Sequence, residues 1–135
     1  MTEFTSTVQQ IPYSTEKVFT LLSDLNNLKS IKENLHGKVK DFEFNRDGCT
    51  LNVDPVGKII IQITEREINK HIKFESKESP VEFTGWIQLV EAAPNDTRLK
   101  LTLRADLPFF LKAMVSPKLK EGIEKAAQAL AGITY

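Results

Sequence analysis

The stretch PFFLKAMVSPKLKEGIEKAAQALAGI, residues Pro108 to Ile133, decides the fold. Val115, Leu119, Ile123, Ala126 and Leu130 recur at helical spacing, while Lys118, Lys120, Glu121, Glu124, Lys125 and Gln128 fall on the opposite side. This is the longest helix pattern in the chain and the only one long enough to cross a sheet. Ser116 and Pro117 form an N-cap and first-turn pair at which a new helical segment could start, and a kink at Pro117 is expected either way. The small residues Gly122, Ala126, Ala127 and Ala129 let the later part lie close to whatever it covers.

Upstream of this helix the sequence alternates strand and turn. Leu99, Leu101, Leu103 and Ala105 set against Arg98, Lys100, Thr102 and Arg104 give the cleanest period of two. Working back, strands are expected at residues 81–91, 71–75, 58–67, 49–53 and 39–44. Their turns are marked by Pro94, Asn95 and Asp96, by Pro80, by Ile68 to Lys70, by Asp54, Pro55 and Gly57, and by Asn45 to Gly48. Gly48 is expected to use its freedom at positive φ. A first strand, Glu3 to Ile11, places Phe4, Ser6 and Val8 on one face. It is followed by a helix from Thr15 to Ser23, capped by Ser14. Asp24 then caps a second helix carrying Leu25, Leu28, Ile31 and Leu35, which ends at Gly37.

The expected architecture is therefore α+β. A curved antiparallel sheet of seven strands wraps around the long C-terminal helix, and two short helices separate the first and second strands. At 135 residues the chain makes one domain, residues 1–135. "STEKVFTLLSDLNNLKSI" resembles the opening helix pair of the helix-grip proteins of the SRPBCC superfamily, which includes START domains, polyketide cyclases and birch-pollen-allergen-like proteins. "FTGWIQLVEAAPNDTRLKLTLRADL" resembles their last hairpin, and Pro108 onward their closing helix. The resemblance implies a space between helix and sheet that holds a hydrophobic molecule such as a lipid, sterol, quinone or polyketide. It also implies that some members are enzymes.

Charge and composition narrow the function. Eighteen basic and eighteen acidic residues cancel, which removes the global footprint of a nucleic-acid or anionic-membrane binder and leaves only local patches. No window approaches the apolar length of a membrane span and the first ten residues lack a signal-peptide pattern, so a cytoplasmic protein without integral membrane association is expected. Cys49 is the only cysteine, so an intrachain disulfide and a cysteine metal cluster are excluded. The glycines are scattered, without a phosphate-binding loop.

No catalytic set is legible. His36 precedes Gly37 at a helix end, where an imidazolium favours the dipole, and His71 alternates with Lys73 and Glu75 on a polar strand face. Neither offers metal spacing, so neither a metal nor a cofactor is expected. Asp41, Glu43, Glu65 and Glu67 read as solvated cross-strand charge, although Glu65 and Glu67 continue the phase of Ile59, Ile61 and Ile63 and would turn inward unless the strand bulges. Arg98, Lys100 and Arg104 form a basic stripe that fits an ordinary solvated sheet. Trp86 shares its phase with Glu82 and Gln88, which places it on the convex side, at a homodimer contact if one exists, unless a bulge near Gly85 turns it inward.

The expected ligand space lies under the N-terminal part of the last helix. Phe110 and Met114 form its opening, Leu28, Ile31 and Leu35 its other wall, and Phe74, Ile87 and Leu101 its floor. Plain core packing is the competing role for the same residues. The expected function is binding or carriage of a small apolar molecule. A cyclase- or hydrolase-type enzyme and a protein-interaction module are the alternatives.

Overall fold

The computed structural model describes residues 2–27, 39–53, 57–77 and 81–135. Strands β1 (Thr2–Thr5) and β2 (Gln9–Ile11) precede helix α1 (Thr15–Leu22). Strands β3 (Val39–Phe44), β4 (Gly48–Val53), β5 (Gly57–Glu67), β6 (His71–Lys77), β7 (Glu82–Ala93) and β8 (Asp96–Asp106) follow, and α2 (Phe109–Ala131) closes the chain. All pairings are antiparallel, in the order β1-β8-β7-β6-β5-β4-β3, with β2 also on β8. The sheet is open, with β3 at one edge.

The first expected strand is thus two strands sharing one place beside β8. Between them Ser6 gives its N–H to the Leu101 carbonyl, and its Oγ accepts from the Leu101 N–H in place of a backbone carbonyl. The chain bulges outward after Ser6, so Val8 is exposed rather than in line with Phe4. Ser14 caps α1 as its position predicts, accepting from the Lys17 N–H at 3.3 Å, and Glu16 sits in the first turn. Beyond α1 the chain makes a 3-10 turn at Leu25–Asn27, where the Asp24 carboxylate accepts from the Asn26 N–H. The rest of the expected second helix, with His36 and Gly37, lies outside the described residues.

Gly48 does not need positive φ. It is required by proximity, since a Cβ there would stand 2.5 Å from the Ile61 carbonyl oxygen of β5. Positive φ is found instead at Gly57 (97°), which opens β5, and at Asn69 (61°) in the β5–β6 turn.

The core gathers at one end of the sheet's inner face. Ile72, Ile87, Leu89, Leu99 and Leu101 meet Ile11, Val18, Phe19, Leu22 and Leu25 from the opening segment and Ala127 and Leu130 from α2. Its polar members are satisfied: the Thr97 hydroxyl donates to the Tyr13 carbonyl at 2.7 Å and lies 3.1 Å from the Thr15 hydroxyl. Tyr135 packs edge-on against Tyr13 and donates its hydroxyl to the Leu130 carbonyl, and burial raises its pKa. Arg66 fastens α1 to the sheet. Its Nε and Nη2 both donate to the Ser23 carbonyl at the helix C-terminus, at 3.0 and 2.9 Å, while Nη2 also pairs with Asp47 at 2.8 Å.

α2 runs unbroken through Pro117. The expected restart at Ser116 does not occur, because Pro117 lies on the exposed side, where water can serve the Ala113 carbonyl that proline leaves unpaired.

Candidate functional site in the inner sheet face

Coverage of the inner face is uneven. α2 packs chiefly on β8, β1 and β2, and α1 on β7 and β8. Both covering helices therefore lean on one flank of the sheet. Side chains beneath the C-terminal half of α2 are buried. Towards the other end of the strands, Ile61, Phe74, Phe83 and Leu103 on the sheet and Leu111 and Leu119 on the helix are only half-buried.

The register shows where the inner face lacks a side chain. Ile63, Phe74, Gly85, Leu103 and Phe4 stand opposite one another on successive neighbouring strands, so they form one row across the inner face. Glycine occupies the middle of that row. A Cβ built at Gly85 would meet only the Thr102 carbonyl oxygen at 3.5 Å and Leu103 Cδ1 at 3.9 Å, which is ordinary contact. Gly85 thus puts no side chain between Phe74 and Leu103, with Phe83 two residues before it on the same face. It does not introduce a bulge, since the β7–β8 register is regular from Glu82 to Glu91.

Few polar groups reach this side. Ser76 accepts from the Phe83 N–H at 3.0 Å. The Ser116 hydroxyl of α2 is buried and has no hydrogen-bond partner among the described residues. Cys49 faces inward beside Ile61, and burial pushes its thiol up to about 11, so it is a neutral and poorly nucleophilic group at ordinary pH.

Of the residues the sequence places in the cavity, Phe74 is half-buried on the inner face, and Ile87 and Leu101 are buried in the core. Phe110 and Met114 are a correction. They are 76% and 52% exposed, because the inward stripe of α2 runs through Leu111, Val115 and Leu119, one residue later and therefore about 100° around the helix. Leu28, Ile31 and Leu35 lie outside the described residues.

The remaining polar candidates sit on the convex face or at edges. β5 bulges between Ile63 and Glu65, which restores the exterior phase for Glu65 and Glu67 and turns Arg66 towards the interior. The two carboxylates flank His71, whose Nε2 lies 2.8 Å from Glu65 and Nδ1 3.3 Å from Glu67. The hydrogen bond to His71 holds the Glu65 carboxyl below its usual range. Glu43 is exposed, and the side chain of Asp41 lies outside the described residues. Among the described residues no group of three or more histidine, cysteine or acidic side chains is arranged to hold a metal.

Trp86 takes the convex side, opposite Lys73 and Thr102. It is half-buried rather than bare, since the Lys73 ammonium lies 6.0 Å and the Arg104 guanidinium 5.3 Å from its ring. The basic stripe is largely neutralised in place. Arg104 pairs with Glu3 at 2.8 Å and Arg98 with Asp96 at 3.0 Å.

One connection has no signal in the sequence pattern. Glu124 of α2 accepts from the Thr7 N–H and from the Thr7 hydroxyl, each at 2.7 Å, and so clips the helix to the bulge between β1 and β2. The backbone hydrogen bond from Thr7 is the main reason its carboxyl lies below the usual range. Helical periodicity marks Glu124 only as outward-facing; its partner comes from a strand break over a hundred residues away.

No protein-family model matches the chain, and no curated protein is significantly similar to it in sequence. Solved structures are similar in shape. A START superfamily protein from Mycobacterium smegmatis has a TM-score of 0.68 at 18% identity, over 96% of this chain and 94% of that one. Norcoclaurine synthase from Thalictrum flavum, in complex with dopamine and hydroxybenzaldehyde, has a TM-score of 0.74 at 14% identity, over 96% of this chain and 84% of the other. The protein XoxI from Bacillus cereus has a TM-score of 0.69 at 19% identity, over 97% and 94%. At identities this low the likeness is one of fold, and that fold is the START-like helix grip that the sequence resemblance implies.

Proposed function

We propose that this protein binds or carries a small apolar molecule, lipid-, quinone- or polyketide-like, held between α2 and the inner face of the sheet. The observation that supports the reading best is the row Ile63, Phe74, Gly85, Leu103, in which glycine replaces a side chain where the helix cover is incomplete. Half-buried apolar side chains around such a hollow are stabilised by an apolar guest at about 25 cal/mol per Å² removed from water. The few polar groups nearby, Ser76 and Ser116, suit orientation of a guest rather than strong electrostatic capture. Norcoclaurine synthase, which shares the fold, is in complex with two small aromatic molecules, and that supports a guest of comparable type here.

The test is uptake of the fluorescent probe N-phenyl-1-naphthylamine. The wild type should bind it saturably. Gly85→Leu fills the hollow and should abolish uptake, and Gly85→Ala, whose added methyl meets only ordinary contacts, should keep the fold and weaken uptake. Circular dichroism checks the fold of each variant. Probe binding by folded Gly85→Leu equal to that of the wild type would contradict the assignment.

A further inference from the structure

The first two turns of α2 are apolar on two sides. Leu111, Val115 and Leu119 face the sheet, yet Phe110, Ala113, Met114 and Pro117 follow one another at i, i+3, i+4 and i+7, the spacing of a second apolar stripe, and all four are exposed. Phe109 beside them is 94% exposed. Farther along the same outward side the helix turns polar, with Glu121 paired to Lys125 at 2.7 Å and Gln128 following. The outward apolar stripe is therefore confined to the half of the helix that overhangs the hollow.

Its flanks carry one sign of charge. Lys118 and Lys120, about 80° to either side of Phe110 around the helix, are exposed, and neither forms an ion pair among the described residues. No acidic residue occurs from Leu107 to Lys120. The next carboxylate along the helix, Glu121, is paired to Lys125, and before the helix Asp106 stands opposite Glu82 at the end of the sheet.

We infer that these two turns of exposed apolar helix dock on an anionic lipid bilayer, with the Phe109, Phe110 and Met114 side chains entering the interface and Lys118 and Lys120 meeting the headgroups. An apolar stripe edged by lysine and lying parallel to the surface is the arrangement that binds such an interface. The helix lies on the bilayer rather than through it, since no helix of the described residues is long and apolar enough to cross. Charge favours the bilayer over a second copy of the chain. A twofold contact through this patch would set Lys118 and Lys120 against the same lysines, and Glu121, the next acid along that side, is already paired to Lys125. Docking here would bring the hollow to the membrane surface, but the docking itself does not depend on what the hollow holds.

The experiment is co-sedimentation of the full chain with vesicles of phosphatidylcholine, with and without phosphatidylglycerol. The wild type should pellet with the phosphatidylglycerol vesicles at low salt and far less with phosphatidylcholine alone. Lys118→Glu with Lys120→Glu should weaken binding by more than about tenfold, because each cation near an anionic surface contributes roughly a fivefold gain. Phe110→Ser with Met114→Ser should abolish it while probe uptake by the hollow persists. In Phe110→Trp, brominated lipid should quench the new indole and leave Trp86 unquenched. Absence of binding to phosphatidylglycerol vesicles, binding that both double variants retain, or a concentration-dependent dimer that Phe110→Ser with Met114→Ser dissolves would overturn the inference.

Discussion

Leu→Ala substitutions in the middle and at the C-terminal end of α2 should have unequal effects. Leu130 is 7% exposed and belongs to the core, whereas Leu119 is half-buried, beside the proposed ligand space. Leu→Ala removes three carbons, a transfer cost of about 2.4 kcal/mol at 0.8 kcal/mol per methylene when burial is complete. At Leu130 the other side chains of the core cluster cannot close the gap fully, so a cavity cost adds to it and the total should reach about 3–4 kcal/mol. At Leu119 only part of the transfer cost applies, and enlarging a space that is already open adds little, so about 1–2 kcal/mol is expected. Urea midpoints with unchanged slopes give both values, and melting temperatures should fall by roughly 3–5 °C per kcal/mol for a chain of this size. A loss at Leu119 equal to or larger than that at Leu130 would show that the helix is gripped along its whole length, and the burial gradient behind the proposed site would be wrong.

Gly48→Ala should destabilise the protein by several kcal/mol, because its Cβ would collide with backbone at 2.5 Å, whereas Gly122→Ala, with nothing within 4 Å, should stabilise the helix by about 0.5–1 kcal/mol; thermal melts decide both. Glu124→Gln should be less stable than the wild type at neutral pH, and the difference should disappear in acid. The sign follows from the lowered pKa of Glu124: its contribution is present above the pKa of an unfolded glutamate and is lost as pH falls through the lower folded value. A difference that persists in strong acid would assign the loss to packing instead of charge. Cys49, with its thiol pushed up to about 11, should react slowly with 5,5′-dithiobis(2-nitrobenzoate) at neutral pH and rapidly once unfolded; fast reaction of the folded protein would contradict its inward position.

Periodicity carried the architecture, since alternation in Arg98 to Asp106 and helical spacing in Val115 to Leu130 each bury one face. It served less well wherever a single residue changed the phase. The bulge after Ile63 sends Glu65 and Glu67 outward, and the sequence shows only that such a bulge was needed, not that it was there. Phe110 and Met114 carry the bulk expected of a cavity lining, but bulk does not fix direction: the neighbouring Leu111 and Val115 take the inward side. Gly85 was legible as a strand glycine and as a bulge candidate. Its meaning as a gap depends on standing between Phe74 and Leu103, and that cross-strand row exists only once the register is known. Glu124 was invisible as a clip for the same reason, because Thr7 meets it through tertiary structure alone.

The most direct test of the proposed function is native mass spectrometry of the protein purified from its own source without detergent. The prediction is a population heavier than the bare chain by the mass of one small molecule, released into organic solvent on denaturation, and absent from folded Gly85→Leu. A wild-type spectrum containing only the bare chain, together with failure to take up the apolar probe, would contradict it.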